Sequence, residues 1–330
     1  MPTLTNKFVA SRWLPFEWPL MEVEEELHAL RTGGADASPD LAARVQALEA
    51  RRQELLQEIY SDLTAYQKVQ LARHPRRPYA LDYARLMFDD FVELHGDRRF
   101  GDDKAMIAGL ATLAGRAVAV VGHQKGRDVS ERKERNFAQG RPEGYRKAQR
   151  VMQMAERLRM PVISLVDTPA ADCLTEAESR GISEAIAEGQ MVMSQLRTPI
   201  LVTILGEGGS GGAIGIGVGD RILMLEYAIY SVIPPEGYAS IVWRDPSRVA
   251  EAAEAARITA RDALALGVVD EVVPEPPGGA HADPEGMAAA LKARLCHHLA
   301  ELDAVPPDEL VDQRYAKFRA MGVYEELAIP

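Results

Sequence analysis

Cysteine is scarce in this chain: its 330 residues include two, Cys173 and Cys296. That permits one bridge at most and gives no structural zinc module, which takes four ligands at close spacings. A chain of this length buries enough apolar surface to fold without disulfides, so reduced thiols, no bound metal and a cytoplasmic location are expected. Long apolar runs are missing as well, and none approaches the roughly 20 residues of a membrane-spanning helix. Met1 to Leu20 mixes Lys7 and Arg12 with Pro15, Glu17 and Pro19, unlike the continuous apolar core of a secretion signal. Basic residues are outnumbered, 38 against 49 acidic, for a formal net charge of -11. Such a chain is repelled by nucleic acid and anionic membrane, although local basic runs can still hold phosphate.

What is present is a pattern of short apolar strands alternating with helices, which argues for an α/β fold. Residues 21–70 read as helix in two pieces, broken between Thr32 and Pro39, with Ser38 placed as an N-cap before a first-turn proline. In the second piece Leu41, Val45, Leu48, Leu55 and Ile59 recur at three- and four-residue steps, and only Arg52 interrupts the stripe. This amphipathic hairpin needs a protein surface to cover it, from its own domain or a neighbour. Residues 1–70 are therefore expected to form a helical extension and 71–330 the main domain. Within the latter, strands are expected at 105–113 and 116–122 about a Gly115 turn, at 161–167, 200–205, 221–225, 228–233 and 267–273. Helices are expected at 143–159, 176–196, 213–218, 246–266 and 287–302, with turns or loops at 206–212, 234–237 and 274–286.

The densest signal is Gly206 to Gly212, with five glycines in seven positions between an apolar strand and an apolar helix. Backbone N–H groups at such a junction can cradle an anion. A phosphate loop would end in Gly-Lys-Ser/Thr, and Gly212-Ala213 does not. Three readings stay open. Ser210 in Gly208-Gly209-Ser210-Gly211-Gly212 loosely matches a nucleophile elbow, which then needs a histidine base, and His123 is the one at a plausible strand end. The same amides fit an oxyanion hole for a thioester enolate. Plain close packing is the third.

Several motifs beyond the glycines, in order along the chain, resemble the alpha-subunit family of acetyl-CoA carboxylase carboxyltransferases. They begin with Leu71-Ala72-Arg73-His74-Pro75, Arg77-Pro78-Tyr79 and Gly96-Asp97-Arg98. Gly122-His123-Gln124-Lys125-Gly126-Arg127 and Pro142-Glu143-Gly144-Tyr145-Arg146-Lys147-Ala148 follow. Then come Ile204 to Ala213, Tyr230-Ser231-Val232-Ile233 with Pro235-Glu236-Gly237, and Pro274-Glu275-Pro276 with Gly278-Gly279-Ala280-His281. The likeness runs from about residue 20 to the C-terminus.

The resemblance implies a crotonase-like (ClpP/crotonase) fold of repeated ββα units behind an N-terminal helical hairpin. It implies transfer of a carboxyl group from carboxybiotin, borne on a carrier protein, to acetyl-CoA, giving malonyl-CoA for fatty-acid synthesis. Partners implied are a zinc-containing beta subunit that completes the active site in an α2β2 assembly, the biotin carboxyl carrier protein and biotin carboxylase. No covalent cofactor or metal is implied for this chain. Gly208 and Gly209 match the family's oxyanion pair and are the catalytic candidates. Ser210, Gly211, Gly212, Gly122, Lys125, Glu236 and Gly237 are the substrate-binding candidates. Alternatives are a paralogue acting on another acyl-CoA and a non-catalytic structural partner.

Two departures from the family pattern stand out. After Asp167-Thr168-Pro169 the chain reads Ala170-Ala171-Asp172-Cys173-Leu174 where the family has Gly-Ala-Tyr-Pro-Gly. Alanine at a left-handed glycine site is costly, so a different backbone path is expected there. Tyr238 stands where a smaller residue is common, either narrowing a pocket or filling space left by that loop. The basic runs at Arg73 to Arg77 and Gln124 to Arg135 suit coenzyme phosphates or the carrier. The plainer reading is a solvated loop with ion pairs to Glu131 and Glu134.

Overall fold

The computed structural model describes residues 13–32 and 39–322. Helices α1 (Trp18–Thr32) and α2 (Pro39–Tyr60) form the hairpin. Its seam is Leu20, Leu55 and Leu56 with Trp13, Val23, Ile59 and Tyr60 packed around them. Leu41, Val45 and Leu48 are only half-buried, so the apolar stripe is deepest at its C-terminal end. Arg52 breaks the stripe for a reason: its guanidinium pairs with Glu24 across the hairpin, as Arg44 does with Glu26 and Arg31 with Glu49. Ser38, the expected cap, and most of the expected break lie outside the described residues, as do Met1 to Arg12.

Thr64 and Gln67 form a capping box that opens α3 (Ala65–Ala72). This helix lays Ala65, Val69 and Ala72 on Ile229, Ala253 and Ile258. Expected helix therefore continues past the hairpin, but as a separate piece with a different partner. Helix α4 (Ala80–Met87) follows.

One eight-stranded sheet organises the rest. Strands β1 (Asp89–Glu93), β2 (Met106–Leu113) and β3 (Arg116–His123) are antiparallel. Ala114 and Gly115, at φ 50° and 81°, make the two-residue turn between β2 and β3. From β3 onward pairing is parallel, through β4 (Val162–Thr168), β5 (Ile200–Gly209), β6 (Arg221–Leu225) and β8 (Glu271–Val273). Strand β7 (Ile229–Ser231) lies beside the end of β5. Every residue of β4 and β5 is buried, which explains their unbroken apolar character.

Short α5 (Val129–Glu134) and the long α6 (Pro142–Arg157) connect β3 to β4, and α6 packs on β2 and β3. The helix expected at 176–196 is two, α7 (Thr175–Ser179) and α8 (Ile182–Gln195), because Gly181 adopts φ 82° between them. Helix α9 (Ser210–Ile214) starts three residues earlier than expected. The expected turn at 234–237 is the first turn of α10 (Pro235–Ile241), with proline at the position where a missing N–H costs nothing. Helices α11 (Val249–Ala255) and α12 (Ala260–Ala265) precede β8, and α13 (Pro284–Leu302) packs on α4, β5 and β8. A last helix, α14 (Pro307–Arg319), had no clear sequence signal. Its buried Arg314 forks onto Asp220 at 2.8 and 2.9 Å and donates to the carbonyls of Met193, Leu196 and Thr198. No helix among the described residues is long and apolar enough to cross a membrane.

Candidate active site

In an open α/β sheet, ligands bind beyond the carboxyl ends of parallel strands. Here three such ends carry charge. Lys125 lies two residues past β3, Asp167 near the end of β4 and Glu207 near the end of β5. The Lys125 ammonium donates to Asp167 Oδ1 at 2.7 Å and to Glu207 Oε2 at 2.9 Å. Asp167 Oδ1 also accepts the Glu207 backbone N–H at 2.9 Å, while Asp167 Oδ2 is buried with no partner. Arg73, just beyond α3, closes the set by donating to Glu207 Oε1 at 2.7 Å and to Glu236 Oε1 at 2.6 Å. Burial pushes the Glu207 carboxyl up, yet Lys125 and Arg73 together hold it at about 2. Burial likewise opposes the Lys125 charge, and the two carboxylates outweigh it and raise its pKa. Below this layer Arg77, fully buried, forks onto Glu275 and donates to Leu205 O at 2.7 Å.

The segment after Glu207 is strand, where a loop was expected. Glu207, Gly208 and Gly209 pair with Ile229, Tyr230 and Ser231 of β7, and Gly208 also pairs with Thr168 of β4. Glycine is required by crowding. A Cβ on Gly209 would sit 2.0 Å from Pro169 O, and one on Gly212 would sit 2.5 Å from the Ala170 carbonyl carbon. Ser210 then turns the chain at φ 49° into α9, whose first N–H groups have no acceptor within the helix. Beside this junction lies a pocket of about 330 Å³ lined by Ser210, Gly211, Ile214, Tyr230, Ser231, Val232 and Val268. It has no charged wall, and Val232 on its lining is 85% exposed.

The altered segment 170–174 packs against the glycines without any left-handed residue. Thr168 Oγ1 lies within hydrogen-bond distance of both Ala138 O and Ala170 O, and Asp172 N–H donates to Gly140 O. Buried Asp172 also accepts from Asn136 Nδ2 at 2.9 Å. The strain sits in the neighbouring loop, where Asn136, Phe137 and Ala138 have φ of 46°, 54° and 61°. Tyr238 is not in the pocket wall; its ring meets Trp243 edge-on at 5.3 Å.

The sequence candidates therefore divide. Gly208, Gly209, Ser210, Gly211 and Gly212 share one junction. Lys125 and Glu236 lie beside it, both in ion pairs. Gly122 does not join them: it is buried in β3, where a Cβ would meet Leu165 O at 2.9 Å, so its place is packing. Gly237 on α10 is crowded by the Ile233 side chain at 2.8 Å and also serves packing. The hydrolase reading lacks its base. His123 is fully buried, neither ring nitrogen has a hydrogen-bond partner, and burial holds its pKa at about 3.

The basic runs are spent mostly inside the protein. Arg127 lies over the Tyr79 ring at 3.9 Å, pairs with Asp82 and donates to Pro75 O and Arg77 O. Arg135 pairs with Glu131 as expected, whereas Glu134 pairs with Lys104 from outside the run. The Lys125–Asp167–Glu207–Arg73 set escaped sequence reading because its members come from four segments. Lys125 is among the sequence candidates and Arg73 lies in a basic run, whereas Asp167 and Glu207 carry only the weaker signals of an Asp in a buried strand and an acid amid glycines.

Comparison with known proteins follows the same lines. Residues 13–322 match the profile of the family described as acetyl co-enzyme A carboxylase carboxyltransferase-like. The acetyl-coenzyme A carboxylase carboxyl transferase subunit alpha of Stenotrophomonas maltophilia is 51% identical over 313 residues, 95% of this chain and 98% of that protein. Its counterpart in Methylococcus capsulatus is 51% identical over 317 residues, 96% and 99% of the two chains. Among solved structures, the beta subunit of P. aeruginosa geranyl-CoA carboxylase superposes with a TM-score of 0.54 at 18% identity. That match covers 74% of this chain and 46% of that one. A Pseudomonas malonate decarboxylase hetero-tetramer in complex with coenzyme A gives 0.55 at 17%, covering 67% and 90%. At such identities the likeness is one of fold.

Proposed function

Because the chain belongs to the acetyl-coenzyme A carboxylase carboxyltransferase family, as an alpha-type subunit, we propose that its glycine junction is one half of a shared transfer site. The fold is crotonase-like and the chain is part of a biotin-dependent carboxyltransferase. The substrates are carboxybiotin on a carrier protein and acetyl-CoA, and the product is malonyl-CoA. In the transfer, the N–C bond to the carboxyl group of carboxybiotin breaks and a C–C bond to the acetyl methyl carbon forms. The methyl proton passes to the ureido group. Negative charge gathers on the ureido oxygen and on the thioester oxygen, and both call for fixed N–H donors.

The observation that carries this reading is the Gly208–Gly212 junction, packed too tightly for side chains at Gly209 and Gly212 and opening on an uncharged pocket. Gly208 and Gly209, with the amides of Ser210 and Gly211 behind them, are the proposed oxyanion donors. Lys125 and Arg73 hold Glu207, and with it the strand end, while Glu236 accepts from the other side of the Arg73 guanidinium. The pocket edge at exposed Val232 is the proposed seat of the beta subunit, which carries the zinc module and supplies the second half of the site in an α2β2 assembly. The carrier protein and biotin carboxylase complete the set of partners.

The test is malonyl-CoA-dependent carboxylation of a biotin derivative by this chain, alone and with a beta-type chain. Turnover is expected only in combination. Turnover by the chain alone contradicts a shared site.

A further inference from the structure

Near the C-terminal end of α13, away from the glycine junction in sequence and chemistry, His297, His298 and Glu301 bring three ligand-type atoms within 4.8 Å of one another. Glu301 Oε1 lies 3.2 Å from His297 Nε2, and Glu301 Oε2 lies 3.2 Å from His298 Nδ1. The three residues share a helix face through i,i+3 and i,i+4 spacing. His297 and Glu301 are about half exposed, whereas His298 is buried at 7%.

The second nitrogen of His298 is already committed. Nε2 stands 2.6 Å from Glu271 Oε2 on β8, and Glu271 is fixed by Arg294 at 2.5 and 2.9 Å. When Nε2 donates its proton to Glu271, Nδ1 holds a lone pair and faces the Glu301 carboxylate. A cation between these two atoms, whether a proton or a metal ion, satisfies both. A histidine whose remote N–H is anchored on a carboxylate is the usual arrangement of a metal ligand, since the anchor fixes tautomer and ring orientation and makes the free nitrogen more basic.

We infer that His297 Nε2, His298 Nδ1 and the Glu301 carboxylate form a site for a divalent transition-metal ion of the zinc type, oriented by Glu271. Two imidazoles and one carboxylate are a donor set suited to such an ion, leaving a further position for water. Zinc bonds of about 2.0–2.2 Å put ligand atoms about 3.4 Å apart, so the exposed His297 and Glu301 side chains close in by about an ångström. Arg221, 3.8 Å from Glu301, opposes the ion and turns aside when it binds. Occupancy ties α13 to the edge strand β8. The site stands apart from the transfer chemistry and does not depend on it.

The experiment is calorimetric titration of the full chain with zinc chloride, after chelator treatment, in a buffer that does not bind metal. One zinc per chain is expected, together with a raised unfolding temperature. His297→Ala and Glu301→Gln, both at exposed positions, should each weaken binding at least tenfold without changing the circular dichroism spectrum. Glu271→Gln should weaken it roughly 10- to 100-fold by releasing the His298 ring. Cys173→Ser should leave it unchanged. Absence of saturable zinc binding, or binding that neither exposed substitution weakens, overturns the assignment.

Discussion

Arg73 and Glu207, 134 positions apart in sequence, are joined by a 2.7 Å hydrogen bond that ties the segment after α3 to the strand leading into the glycine junction. Glu207 is shared with Lys125, and Lys125 with Asp167, so four charges from four segments converge on one strand end. Removing one member of a buried, paired set leaves the others uncompensated. Lys125→Met should destabilise the chain by about 3–5 kcal/mol in urea unfolding, because among the described residues Asp167 loses its one salt-bridge partner and Glu207 one of two. A loss below about 1 kcal/mol would mean the set is hydrated and contributes little.

The hairpin gives a graded prediction. Leu55 is 4% exposed and lies in the seam, whereas Leu48 is half-buried. Leu55→Asp should cost several kcal/mol, about 2–4 at least, since a carboxylate is forced into an apolar seam without a partner. Leu48→Asp should cost clearly less, as its carboxylate can turn toward solvent. Equal losses in thermal unfolding would mean that Leu48 is covered as deeply as Leu55.

Acid sensitivity follows from the buried histidines. His123 is held near a pKa of about 3 by burial and then by the Lys125 charge, against 6.5 in an unfolded chain; His281 shifts the same way. Between those pH values the unfolded state binds more protons, so stability rises with pH and is lost as pH falls from about 6.5 toward 3. For His123 alone the loss between pH 7 and pH 5 is about 2 kcal/mol. His123→Leu should shrink the pH 7 to pH 5 difference in urea stability by that amount. An unchanged difference would mean that His123 protonates readily in the folded chain.

Much of this architecture is legible in the sequence. The unbroken apolar runs of β4 and β5 announce buried parallel strands, and the Ala114-Gly115 turn announces the β2–β3 hairpin. What escaped depends on distant partners. Gly206 to Gly209 has no side chains to show strand alternation, and its strand character comes from pairing with Thr168 and β7. Gly181 splits a helix because its backbone is left-handed, which composition does not reveal. Arg314 looks like one more surface charge until Asp220 and three carbonyls are brought around it. The glycine junction is visible as a motif. The members of the charged set behind it lie in separate motifs, and only adjacent strand ends unite them.

The most direct test of the central claim compares Gly209→Val with Ser210→Ala, each assembled with a beta-type subunit and assayed for carboxyl transfer. A side chain at 209 must displace Pro169 O, 2.0 Å from its Cβ, and so move an N–H donor off its target. The predicted loss is about 10²–10³ in kcat with the assembly intact. Ser210→Ala, which removes only a hydroxyl, should stay within roughly tenfold of the parent. Full activity in Gly209→Val together with abolished turnover in Ser210→Ala would contradict the account and point to a serine nucleophile.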